Sequence, residues 1–178
     1  MMGHFLIIPF VMPYMEFNVG FSRDQTPLIY LVGGILTMIG APIIGSISDQ
    51  FGKVKVYIIF VIISLLPVFL ITNMGPMNYF LVLTVTGTWF LLSSGRTIPA
   101  QAMISKIPEP QQRGSFMSFN TAVQNLFIGL ATLVAGSLIT QDSTGKILHY
   151  NELGYLSIGI IAASILLARK LSRTGGLT

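Results

Sequence analysis

The chain has 178 residues, of which 52% are hydrophobic and only 9% charged, and its mean hydropathy is +0.76. Soluble domains carry roughly a quarter of their residues as charges, so these values exclude a soluble globular domain and indicate a membrane protein. No cysteine occurs, which removes disulfides, thiolate nucleophiles and cysteine metal sites, and the net charge of +4 is small enough that its placement matters more than its size.

Six apolar stretches follow in chain order, at approximately 3–20, 27–48, 55–73, 78–105, 115–140 and 153–170. The first contains Pro9, Pro13 and Glu16, and has neither the basic leader nor the small-residue cleavage site of a signal peptide. The second carries no charge from Pro27 to Ile47 and is long enough at 1.5 Å per residue to cross a hydrocarbon core of roughly 30 Å. The third closes in the turn Asn73-Met74-Gly75-Pro76, and the fourth is interrupted by Arg96 and Pro99. A polar, proline-stiffened connection from Lys106 to Gly114 leads to the fifth. A polar loop from Gln141 to Glu152 precedes the sixth, which ends in Arg169, Lys170 and Arg173. The expected fold is an all-α membrane protein, a single bundle of six transmembrane helices over 1–178.

Basic residues orient this bundle. Seven of them (Lys53, Lys55, Lys106, Arg113, Arg169, Lys170 and Arg173) fall in the loops after spans two and four and in the C-terminal tail, against Arg23 and Lys146 on the other side. The positive-inside bias therefore predicts both termini in the cytoplasm. Small residues four apart, Ala41 with Gly45, Ala131 with Ala135 and Gly159 with Ala163, are expected to face neighbouring helices.

The turn after span two is the most informative short stretch. Gly45 is expected to let the helix end approach a neighbour, Gly52 can take the positive φ of a tight reversal, and Lys53 and Lys55 anchor the turn at one membrane surface. Asp49 lies near a helix C-terminus, the negative end of the dipole, so it is expected to have a base or another helix's N-terminus as partner. Deeper in the membrane the ionisable residues are Glu16 and Arg96, and a charge persists there only when water or a partner accommodates it. Counting from the cytoplasmic ends puts Arg96 roughly 14 Å and Glu16 roughly 20 Å deep, which predicts that they pair across one aqueous cavity, with Glu16 a candidate proton acceptor. The motifs of intramembrane proteases are absent and His4 and His149 fall near a terminus and in a loop, so no enzyme, metal site or cofactor is expected. The rival reading is a non-transporting membrane scaffold or assembly subunit; Asp49 and Arg96 are expensive residues for such a passive role.

The spacing Gly45-x3-Asp49-x2-Gly52-Lys53-x-Lys55 resembles the loop signature of the major facilitator superfamily, which in that family joins helices 2 and 3 and again helices 8 and 9. Gln50 stands where the family most often has Arg, and Val54 interrupts the basic run. Gly95-Arg96-x-x-Pro99, with Pro108 to Gly114 after it, looks like the helix 10 to 11 region of drug and sugar efflux members. Phe10-x-x-Pro13-Tyr14-x3-Asn18-x-Gly20-Phe21-Ser22 looks like their helix 7. The resemblance implies helices 7 to 12, one half of the fold built from two inverted three-helix repeats, with Pro13 and Pro99 as helix breaks flanking the substrate path. It further implies a small-molecule solute, an N-terminal six-helix partner that Asp49 would contact, and proton-coupled efflux through the inner membrane. Asn120, Gln124 and Asn125 are the next candidates for the cavity wall.

Overall fold

A computed structural model describes the backbone of residues 2–174 and the side chains of 2–170. The side chain of Arg173, one of the basic residues of the C-terminal tail, lies outside the described residues. The first span is split into α1 (Met2–Phe5), α2 (Ile8–Tyr14) and a π turn at Met15–Val19. Then come α3 (Thr26–Phe51), α4 (Lys53–Thr72), α5 (Tyr79–Ile104), a 3-10 turn at Pro110–Gln112, α6 (Arg113–Leu138) and α7 (Tyr150–Thr174). Of these, α3, α4, α6 with its 3-10 turn, and α7 are both long and apolar enough to cross a membrane. With 26 residues α5 is as long as α3, but its second half, with Arg96, Thr97 and Gln101, is too polar to meet the same standard.

The prolines act differently from expectation. The helix is interrupted at Leu6–Ile7, before Pro9, whose missing N–H costs nothing in the first turn of α2. Beyond Pro13 the helix widens instead of breaking, and the Met15 carbonyl accepts from Gly20 and from Phe21 N (2.9 Å), with Gly20 at φ +93° ending the turn. Pro99 is no break either, because α5 runs through it to Ile104. A proline forfeits one backbone bond, and in a helix flanked by α3 and α4 the remaining ladder holds.

Extensive packing of α5 on α3 and α4, and of α4 on α7, forms the main body, while α1 bridges α6 and α7. Its centre holds Trp89, Val82, Val61, Val68, Ile71, Ile29 and Leu153, all fully buried. Close approach is made by Gly95, where any Cβ would strike Phe60 of α4, and by Gly154, where it would strike Thr72. Ala131 and Ala135 are buried in the core. Gly45 and Gly159 meet nothing, so the close contact expected of them is not made: spacing selects a helix face but not the neighbour opposite it.

The polar stretch after α6 is also more ordered than a loop. Thr140–Gln141 and Ile147–Leu148 pair as short antiparallel strands β1 and β2. Within the turn the Asp142 carboxylate accepts from Thr144 N (2.8 Å), Thr144 Oγ1 (2.6 Å) and Lys146 N (3.0 Å). Asn18 binds this hairpin to the first span by donating from Nδ2 to the Ile147 carbonyl and accepting from Ile147 N, both at 2.9 Å.

Candidate functional site

The face of α5 that carries Ser93, Arg96, Thr97, Ala100, Gln101 and Ile104 recurs every three or four residues, so these side chains form one stripe. Opposite it, α6 presents Asn120, Val123, Gln124 and Phe127 at the same spacing, and α1, α4 and α7 supply His4, Tyr57 and Ser164. Together they enclose a cavity of about 770 Å³, a size that accepts a drug-like molecule.

Polar groups inside are partly linked. Arg96 Nη2 donates to Ser93 Oγ (3.2 Å), which in turn lies 3.2 Å from His4 Nδ1. With the ring neutral and Nδ1 unprotonated, Ser93 donates to it; with the ring protonated, the ring donates to Ser93. Gln101 Nε2 donates to Gln124 Oε1 (3.4 Å) between α5 and α6, and Tyr57 OH donates to Ser164 Oγ (2.7 Å) between α4 and α7. Three buried donors here have no partner among the described residues: Arg96 Nε, Asn120 Nδ2 and, at the cavity's edge, Trp89 Nε1. No acidic side chain lines the cavity among the described residues. Trp89, fully buried, packs its ring 4.6 Å from that of His4 at the cavity's edge.

Of the residues singled out in the sequence, Arg96, Asn120 and Gln124 therefore meet in one place, and Glu16 and Asn125 do not. Glu16 makes no ion pair with Arg96, whereas Asp49 pairs with Lys53 and Glu152 lies against His149. The depth count fails because it sets Gly3 at the membrane surface, whereas the His4–Ser93 contact brings α1 level with the middle of α5. Glu16 then lies roughly 18 Å further along the first span at 1.5 Å per residue, at the end held by the Asn18–Ile147 bonds. Asn125 is exposed and off the cavity because one residue turns a helix by roughly 100°, away from the face of Gln124.

Sequence reasoning passed over His4, Ser93 and Gln101. The stripe from Ser93 to Gln101 was available as a signal, since polar residues at helical spacing on both sides of an arginine within a long helix mark its face. His4 had none, because nothing local tells which helix a residue near the start will touch.

In the turn between α3 and α4, Gly52 is the only linking residue and has φ +91° and ψ 129°, a backbone that a side chain would strain. Asp49 is exposed and pairs with Lys53, one turn onward across the reversal, so the base it requires comes from the turn itself. Gly45 stands half-buried with open space at its Cβ position.

Residues 1–175 match the profile described as Major Facilitator Superfamily. No solved structure matches the chain.

Proposed function

The chain belongs to the major facilitator superfamily, a family of membrane transporters, and on that premise we propose that it forms the C-terminal six-helix half of a secondary active transporter, exporting a small solute or drug in exchange for protons. The observation that carries this reading is the cavity between α1, α5, α6 and α7, with Arg96 and the unpartnered amide of Asn120 at its wall. An intramembrane arginine is retained where it meets water or a ligand, and a drug-sized polar-edged space beside it is what a solute path requires. An N-terminal six-helix bundle completes the path, supplied by a longer polypeptide, a separate subunit or a second copy. The excess of basic residues in the turns after α3 and α5 favours a cell-membrane protein with both termini cytoplasmic.

The turn Gly45–Lys53 serves in this reading as the conformational switch, since the exposed Asp49 can exchange Lys53 for a donor on the facing bundle. Proton coupling falls to Glu16, the carboxylate of the first span, because a proton on His4 would add a second positive charge beside Arg96, to which Ser93 links it.

Flux in proteoliposomes containing this chain together with its N-terminal bundle tests the proposal. Arg96→Gln is expected to reduce solute flux by about tenfold or more, the usual consequence of removing a charged contact. Glu16→Gln is expected to abolish the pH dependence of flux while His4→Gln retains it. Undiminished flux in Arg96→Gln overturns the cavity as the path, and flux by no preparation favours a scaffold. Loss of pH dependence only in His4→Gln moves coupling to the imidazole.

A further inference from the structure

The contacts from Arg96 through Ser93 to His4 fix a proton as well as a position. A guanidinium is only a donor, so Ser93 Oγ accepts from Arg96 Nη2 (3.2 Å) and keeps its own proton to give. Among the described residues the other group bonded to that hydroxyl is His4 Nδ1, at 3.2 Å. Ser93 can donate there only if Nδ1 is bare. Protonating both ring nitrogens would set two positive charges on either side of one hydroxyl, so the neutral ring carries its proton on Nε2. Turning the ring over would put carbon where Nδ1 stands and leave Ser93 without an acceptor. Neighbouring rings box it in, Trp89 against its face with centres 4.6 Å apart and Phe5 and Phe90 edge-on at 5.9 and 6.4 Å. Nε2 makes no hydrogen bond among the described residues and, unlike Arg96 Nε and Trp89 Nε1, is not closed off, so it opens on the cavity that His4 lines.

From this relay we propose that His4 is a specificity-determining residue of the cavity: a neutral ring that donates its Nε2–H to an acceptor on the solute, with Ser93 the positioning residue that sets the tautomer. The class of solute is one with an unprotonated acceptor, such as a carbonyl oxygen, on a body that suits the apolar part of the wall at Ile8, Phe90, Phe127 and Ile160. A solute offering only N–H or O–H at this point sets donor against donor, and both groups lose a bond that water had supplied. The inference rests on reading the cavity as part of the solute path. It leaves proton exchange to Glu16, since a ring held neutral carries no extra proton.

Nitrogen NMR reads the tautomer directly, because protonated and bare ring nitrogens resonate far apart. The chain has two histidines, so His149→Gln identifies the signals of His4. The full chain, labelled with 15N-histidine and held in phosphatidylcholine nanodiscs at neutral pH, is expected to show His4 with Nδ1 bare and Nε2 protonated. Ser93→Thr, which keeps the hydroxyl, should preserve that pattern, and Ser93→Ala should bring in a share of the Nδ1–H form. Titration with N,N-dimethylbenzamide, an acceptor with no N–H of its own, should shift the Nε2 resonance saturably, while cumene, of similar shape but with no acceptor, leaves it in place. A bare Nε2, or protons on both nitrogens, overturns the inference in the unaltered chain without recourse to any variant. An unchanged tautomer in Ser93→Ala overturns the role of Ser93, and equal responses to the two probes, or none, overturn the role of His4 toward the solute. The flux assay fails separately: the expected tautomer and probe response without flux remove the solute-path reading and leave the donor in place. Flux with a bare Nε2 removes this inference alone.

Discussion

Asn18 shows how one side chain can replace a strand. Its amide presents a donor and an acceptor to Ile147 as a neighbouring backbone would, and so holds the β1–β2 hairpin against the first span. Asn18→Leu removes both bonds and leaves the Ile147 backbone groups unpaired, so we expect a loss of about 1–3 kcal/mol, read as a lower midpoint of thermal unfolding in detergent. Asp142 acts within the same hairpin. The Thr144 hydroxyl first, then the backbone N–H groups of Thr144 and Lys146 and the Lys146 charge, hold its carboxyl below the ordinary value of 3.8. A carboxyl depressed on folding stabilises the fold above its unfolded value and ceases to do so as pH falls through the folded one. The hairpin should therefore be protected from proteolysis between residues 140 and 148 at pH 5 and above and lose protection below about pH 4, where Asp142 begins to protonate. In Asp142→Asn the pH dependence should disappear; a hairpin equally resistant at both pH values in the unaltered chain would rule out the carboxylate as its clasp.

Helix-to-helix contact in this bundle depends on where a side chain is missing. Gly95 lets α5 close on Phe60 of α4, and Gly154 lets α7 close on Thr72, while Gly159 faces open space. Gly95→Val should force α4 and α5 apart at a cost of about 1–3 kcal/mol, the range for overpacked interiors. Gly159→Ala, with nothing to strike and a helical backbone, should be neutral or stabilising by up to about 1 kcal/mol. Thermal unfolding of the two variants side by side checks this; similar losses in both would mean that α5 does not approach α4 as described. The helices themselves were legible along the chain. Long uncharged runs predict α3 and α4, and Gly52 between two such runs predicts the reversal that its φ of +91° now shows. Less legible were the first span and the hairpin. The interruption falls at Leu6–Ile7, where no proline stands, and β1 and β2 hold two residues each, too few to carry an alternating pattern.

Six helices contribute to the cavity, and no one of them carries it alone. Because the chain contains no cysteine, single introduced cysteines report its wall without background. Gln124→Cys and Asn125→Cys differ by one residue and by roughly 100° of helix rotation. A water-soluble maleimide should label the first, on the cavity wall, and react more slowly with the second, which faces away from it. Equal labelling at both positions would place the boundary of the cavity elsewhere on α6.

Membrane character, the long helices and the arginine within α5 could be read without coordinates, because they follow from consecutive residues and depend on nothing distant. The axial shift that sets His4 beside Ser93, and with it the separation of Glu16 from Arg96, came only with the folded bundle. So did the face of α6 that turns Gln124 inward and Asn125 away. Helices apolar over most of their surface carry little record of which side meets a neighbour, so their rotation and register follow from interlocking contacts such as Gly95 with Phe60.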